Sequence, residues 1–309
     1  MQQDNIKEAL NERGGFQVWW RLLRPHTLTA SFVPVFIGTI IAYIDGFIHV
    51  PLFIAMLVAS ILIQAATNMF NEYYDFKRGL DTEHSVGIGG TIVRDGIAPK
   101  TVLRLALSFF GIAIILGIYI CMETSWWIAV IGLVSMVFGY LYTGGPFPIA
   151  YTPFGEIVSG LLMGSVIIGI SYYIQAATLT DRVLWISLPV ALFIGAIMLS
   201  NNIRDRVGDA KSGRKTIAIL VGHNKAVGLL AAFFITAYIS TIVFVLLGML
   251  PILSLITLIS AKLAFDVIKG FMGKTKPLEM MPAMIMTGKT NTIYGLLLCL
   301  SLFMYSLYS

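Results

Sequence analysis

The feature that most constrains this chain is a series of nine apolar stretches, most of them close to the ~20 residues that carry an α-helix across a bilayer. They run from Leu28 to Ile44, Pro51 to Tyr74, Val102 to Met122, Trp126 to Tyr142, Ile157 to Ala177, Val183 to Leu199, Ala226 to Leu247, Leu250 to Ile268 and Ile293 to Tyr308. Hydrocarbon offers no water to backbone N–H and C=O groups, so stretches of this length must bond internally as helices. The expectation is an all-α, polytopic membrane protein with about nine transmembrane helices. Gly248 and Pro251 are the punctuation that separates the seventh stretch from the eighth. Composition agrees: 57% of the 309 residues are hydrophobic and 12% charged, which excludes an evenly solvated surface and a disordered chain. Cys121 and Cys299 both fall within apolar runs and imply neither a disulfide framework nor a zinc site.

The charges lie between the stretches, and unevenly. Twenty of the 21 Lys and Arg fall on one side of this arrangement, and Arg182 alone falls on the other. The positive-inside rule then places the N-terminus in the cytoplasm, and nine crossings of the cell membrane place the C-terminus outside. The net charge of +5 is explained by basic loops facing anionic membrane lipid, with no nucleic acid partner. Residues 1–26 lack the apolar core of a signal peptide. They read as a cytoplasmic segment ending in an interfacial anchor at Trp19, Trp20, Arg21 and Arg24, or more simply as part of an aromatic belt. Residues 27–309 read as one transmembrane domain with charged loops at 75–101 and 200–225.

Those two loops resemble one another. A shift of 134 positions lays Asn68 on Asn202, Asp75 on Asp209, Lys77 on Lys211, Gly79 on Gly213 and Thr82 on Thr216. Five identities in fifteen positions exceed the roughly one expected from average composition. The pattern reads as a parallel duplication, two pseudo-repeated four-helix units plus one helix, with convergence on a similar ligand as the alternative.

Asn68, Asn71, Glu72 and Asp75 are spaced to share one helical face, as are Asp205 and Asp209. Carboxylates this near the hydrocarbon boundary are unfavourable unless paired or metal-bound. The carboxylates, with Asp81 and the Asn71 amide oxygen, are hard ligands suited to magnesium, which takes a few carboxylates and completes its shell with water and phosphate oxygens, and Asn68 and Asn202 are candidates for binding the substrate. Interleaved Lys77, Arg78, Lys211, Arg214 and Lys215 complement a diphosphate. Acids and bases together point to a metal-bridged phosphate ester, whereas a cation-coupled transporter would place its acids nearer the bilayer centre.

The Asn-(Asp/Glu)-x-x-Asp cluster at Asn71, Glu72 and Asp75, and the Asp-x-x-x-Asp cluster at Asp205 and Asp209, resemble the UbiA-type superfamily of membrane aromatic prenyltransferases over essentially the whole chain. Glu72 stands where that pattern commonly has Asp, which keeps the charge and lengthens the reach. Arg24-Pro25-His26-Thr27-Leu28, Tyr142-Thr143-Gly144-Gly145-Pro146 and Thr287-Gly288-Lys289-Thr290 are similar to the branch that prenylates 1,4-dihydroxy-2-naphthoate in menaquinone synthesis. The resemblance implies a magnesium-dependent transfer from polyprenyl diphosphate, with decarboxylation of the acceptor. It implies Asn71, Asp75, Asp205 and Asp209 at the catalytic centre and Asn71, Glu72, Asp75, Asp81, Asp205 and Asp209 around the metal. Prenylation of 4-hydroxybenzoate or homogentisate is the rival within the same superfamily.

The uncharged segment Tyr142 to Phe154 is rich in Gly and Pro and suits non-helical backbone lining a cavity, which makes Tyr142, Thr143 and Tyr151 candidates for holding the acceptor. Glu156 could pair with a base or help deprotonate the acceptor, although a carboxylate at a helix N-terminus is the simpler reading. His26 and His84 read as surface residues and Asp266 as the partner of a nearby lysine.

Overall fold

The computed structural model describes residues 14–81 and 90–308. Lys7, Arg13, Thr82, His84 and position 309 lie outside the described residues. Among the described residues the chain is helical, with no strand. A short α1 (Phe16–Leu23) leads into α2 (Pro25–Ile44) and α3 (Val50–Lys77), then a single turn α4 (Thr91–Asp95), α5 (Pro99–Glu123) and α6 (Trp127–Leu141). The second half contains α7 (Gly155–Ala176, with a π segment at Gly160–Val166), α8 (Asp181–Lys211), the short α9 (Ile217–Val221) and α10 (His223–Leu246). It closes with a 3-10 segment (Ile252–Ser260) continuing into α11 (Ala261–Phe271), and with α12 (Pro277–Ser306).

Every one of the nine apolar stretches is helical. Six helices, α2, α3, α5, α7, α8 and α10, are long and apolar enough to cross a bilayer. The others fall on the 15-residue α6, on the composite around α11, and on α12, whose 30 residues begin well before the apolar stretch at Ile293.

Two boundaries differ from the sequence reading in a way that matters for chemistry. α3 runs to Lys77 and α8 to Lys211, so the charged segments begin as helix rather than as loop. The polar residues of these last turns face other polar groups, which removes the reason for the helix to stop at the end of the apolar run. Both helices stop by the same device. Arg78 (φ −89°, ψ 0°) and Ser212 (φ −88°, ψ 6°) cap them, and Gly79 and Gly213 follow at φ 69° and 80°, a conformation that glycine adopts without a Cβ penalty. The cap bonds Arg78 N to Tyr74 O (3.0 Å), Gly79 N to Phe76 O (3.0 Å) and Leu80 N to Asp75 O (2.9 Å) recur 134 residues on. Their counterparts are Ser212 N to Gly208 O (3.2 Å), Gly213 N to Ala210 O (3.2 Å) and Arg214 N to Asp209 O (3.0 Å). The likeness of the two segments is therefore one of backbone as well as of residue type.

α2 and α8 form the buried centre, packed by α7, α10 and α12. Close approach depends on glycine. A Cβ on Gly160 would lie 2.6 Å from Ala191 O, and one on Gly164 would lie 2.5 Å from Ala191 Cα, the small-residue contact by which membrane helices gain packing without a hydrophobic drive. Gly164→Leu is expected to destabilise the protein by about 1–3 kcal/mol through overpacking. Gly228→Ala, where an added Cβ meets nothing within 4 Å, is expected to stabilise by about 0.5–1 kcal/mol. Thermal unfolding in detergent measures both, and equal shifts would contradict the packing described.

Candidate active site

The ends of α3 and α8 meet at one guanidinium. Arg214, just past the cap of α8, donates from Nη2 to Asp75 Oδ1 at 2.7 Å and from Nη1 to Asp209 Oδ1 at 3.1 Å. Asp205, one turn before Asp209, accepts from Arg204 Nε at 2.7 Å. Arg204 is buried against Met281 and Met284 of α12. Arg24, in the left-handed region at φ 52° between α1 and α2, completes a third basic wall. These groups, with Asn71, Thr143, Asn201 and Asn202, line a polar chamber of about 100 Å³.

A second cavity of about 400 Å³ adjoins it and shares Arg24, Thr27, Asn71, Tyr142, Met198 and Asn201 with the chamber. Its remaining wall is mostly apolar, drawn from α2, α3, α5, α6, α7 and α8, and reaches Met56, Ile120, Cys121 and Ile128. Asn71 and Met56 both line it from α3, fifteen residues apart, so it extends about 22 Å along that helix at 1.5 Å per residue. A polar head site thus opens into a long apolar slot.

The structure brings together Asn71, Asp75, Asp205, Asp209, Tyr142, Thr143, Asn202 and Arg214 of the residues expected from sequence. Asn68 lies beside the chamber, in the apolar cavity wall, where its Nδ2 donates to Leu23 O and Thr27 Oγ1, both at 2.9 Å. Thr143 Oγ1 donates to Asn71 Oδ1 at 2.7 Å. Other expected residues take different places. Lys77, Lys211 and Lys215 are exposed and line neither cavity. Arg78 braces the loop after α6 through Thr143 O and Gly145 O. Tyr151 stacks on Arg78 and Arg214 at 5.7 and 5.3 Å and stays outside both linings. Glu72 is fully buried. It accepts from Thr91 Oγ1 at 2.8 Å and Ile92 N at 3.2 Å, with Arg24 at 3.7 Å, and so ties α4 to α3. Asp81 also lies outside the chamber lining; burial pushes its carboxyl up to about 7, and Asp75 and Glu72 add repulsion.

His26 lines the chamber, contrary to its reading as a surface residue. Arg24 and Arg204, which were not among the expected site residues, also line it. Their signal was local: Arg24 precedes a proline, and Arg204 abuts Asp205 inside a carboxylate cluster. Gly288 holds this end of α2, since a Cβ there would lie 2.6 Å from His26 O. Lys262 and Asp266 pair at 3.2 Å as expected on their own helix, Lys262 exposed and Asp266 half-buried.

Burial alone would lower the pKa of Arg214, but Asp75 and Asp209 overcome it and hold the guanidinium above its usual range. That cation occupies the place where two acidic helix ends need positive charge. No cluster of three or more acidic, His or Cys side chains forms a closed metal cage among the described residues. A few carboxylate and amide oxygens around a polar space suit an ion that takes the rest of its shell from water and phosphate, as magnesium does. The residues present therefore fit that ion.

Fold and site together define a polytopic membrane enzyme whose charged chamber opens into a long apolar slot. The protein belongs to the UbiA prenyltransferase family, whose pattern matches residues 31–286. It is 54% identical over 286 residues, 93% of this chain and 92% of the other, to the 1,4-dihydroxy-2-naphthoate octaprenyltransferase of Bacillus subtilis (strain 168). It is 28% identical over 228 residues, 71% of this chain and 73% of the other, to the protein of that description in Haemophilus influenzae. Among solved structures, a UbiA homologue from Aeropyrum pernix superposes with a TM-score of 0.68 at 16% identity, covering 88% of this chain and 96% of that one. A UbiA homologue from Archaeoglobus fulgidus bound to DMAPP and Mg2+ gives 0.62 at 17% identity, covering 90% and 98%.

Proposed function

We propose that the protein transfers a polyprenyl group from polyprenyl diphosphate to 1,4-dihydroxy-2-naphthoate, with loss of the acceptor's carboxylate, as a step of menaquinone synthesis. The observation that carries this reading is the junction of the charged chamber with the apolar slot through Asn71, Tyr142 and Asn201, supported by the likeness to the Bacillus subtilis enzyme.

Arg24, Arg204 and Arg214 present charge-assisted donors to the diphosphate, which a neutral side chain cannot replace. Asn71, Asp75, Asp205 and Asp209 would hold magnesium, which when bound supplies positive charge against the departing diphosphate. The apolar walls keep water from the allylic carbon as its bond to oxygen breaks, so the cation meets the electron-rich ring carbon. Tyr142, at the seam between chamber and slot, offers a flat wall where that ring must lie. Loss of the carboxylate as CO2 then restores aromaticity, and no covalent link to the protein forms.

The same reading places the protein in the cell membrane with its N-terminus and the chamber on the cytoplasmic side and its C-terminus outside. α1 buries Val18 and Leu22 and leaves Phe16, Trp19 and Trp20 exposed, which suits a helix lying in the lipid interface. Cysteines introduced at 81 and 212 should react from the cytoplasm, and one at 309 from outside.

Purified protein incubated with one labelled polyprenyl diphosphate and each of 1,4-dihydroxy-2-naphthoate, 4-hydroxybenzoate and homogentisate tests the substrate. Prenylation of the naphthoate with release of CO2 is expected. Preferred use of either other acid would replace this acceptor.

A further inference from the structure

Glu156 stands apart from the machinery described above. It is the second residue of α7 and is 4% exposed. Its Oε1 accepts from Asn202 Nδ2 at 2.8 Å, while its Oε2 is buried without a hydrogen-bond partner. A helix N-terminus favours a carboxylate electrostatically, but a surface position would meet that preference without burying a group that finds one partner. Asn202 lines the polar chamber together with Tyr142, and Glu156 does not.

A free asparagine amide can rotate by half a turn and present either its oxygen or its NH2. A carboxylate only accepts, so Glu156 obliges Asn202 to turn its NH2 inward and leaves Oδ1 for other partners. That oxygen differs from the rest of the wall. The arginines of the chamber attract anions, whereas a fixed neutral acceptor repels the acceptor-only oxygens of a diphosphate. It suits a hydroxyl donor, and the aromatic substrate carries two.

We infer that Glu156 is a positioning residue for the aromatic acceptor: it fixes the Asn202 amide so that Asn202 Oδ1 receives a ring hydroxyl beside Tyr142. The inference rests on the acceptor class proposed above and adds to it the group that reads the hydroxyl.

The test compares 1,4-dihydroxy-2-naphthoate with its two mono-O-methyl ethers, by equilibrium fluorescence titration under reducing conditions without prenyl donor, and by kinetics with it. The wild-type protein should prefer the free hydroxyl over one of the ethers by about tenfold or more, because a site built to bond a hydroxyl rejects an analogue lacking it. Glu156→Ala should bring that preference close to unity and raise the acceptor KM about tenfold, with the donor KM changed by less than about twofold. Glu156→Gln keeps the shape of the side chain and guards against a folding defect. Its amide can meet Asn202 either way round, so an intermediate preference is expected.

An unchanged preference in both folded variants would overturn the inference. So would a changed dependence on magnesium with the preference intact, because Asn202 would then serve the ion. If wild-type protein neither binds nor prenylates the naphthoate, the acceptor proposed above fails instead. The same comparison between 4-hydroxybenzoate and 4-methoxybenzoate then decides the role of Glu156 by itself.

Discussion

Asp209→Asn is expected to lower turnover by about two to three orders of magnitude, the scale on which removing a group aimed at developing charge acts. Asp75→Asn should match it, and the double variant should be little worse than either alone, since residues that act as one unit are not additive. The geometry behind this is the convergence of Asp75 and Asp209 on the single Arg214 guanidinium at 2.7 and 3.1 Å. Both carboxylates hold the same charge-balancing position, so either loss breaks it. The change to Asn preserves shape and removes the charge that would hold a divalent ion. Single-turnover assays with labelled prenyl diphosphate measure the effect, and EDTA should abolish turnover of the unmodified protein. Turnover within about tenfold of normal in the Asn variants, or activity in EDTA, would remove the metal-assisted reading.

The second large effect concerns Arg214. Arg214→Gln leaves Asp75 and Asp209 facing each other without their shared cation. Their side chains are 18% and 12% exposed, and that of Arg214 is 12% exposed, so solvent screens the loss only slightly. Removing one partner of such a group costs about 3–5 kcal/mol. Magnesium added to Arg214→Gln should recover part of the loss in thermal unfolding, by a larger shift than in the unmodified protein, because it fills the position the guanidinium held. Kinetically, the variant should raise the KM for the prenyl donor about tenfold or more and leave the aromatic KM nearly unchanged. Tyr142→Ala should show the opposite split. Equal effects on both substrates in both variants would contradict separate head and acceptor subsites.

The carboxylates were legible because their spacing is short-range. Asn71 and Asp75 stand four residues apart, and so do Asp205 and Asp209, so each pair shares a face of its own helix, whereas Glu72, beside Asn71 in sequence, turns to Thr91 and Ile92 instead. The basic residues were not legible in that way. Lys77 and Lys211 are equivalent in the repeat, yet both are exposed, whereas Arg24 and Arg204, not expected at the site, line the chamber. Charge alone does not tell a solvated lysine from an arginine turned inward. Which of them turns inward depends on where a third element passes: α12 presents Met281 and Met284 to Arg204, and the left-handed turn at Arg24 aims the start of α2 at the site.

By itself the sequence determined the class of the fold and the spacing that puts Asn71 with Asp75, and Asp205 with Asp209, on one helical face each. Apolar length and 3.6-residue spacing are local properties, read along one segment at a time. Only the tertiary structure decided that α3 and α8 continue as helix to Lys77 and Lys211 and end by the same cap. It alone decided that Glu72 and Arg78 serve as braces and that Asn202 is tied to Glu156, 46 residues away. Those assignments depend on contacts between segments far apart in the chain. A buried polar group takes whichever partner the packing brings within reach, because leaving it unbonded is unfavourable, and that partner is set by where the helices cross.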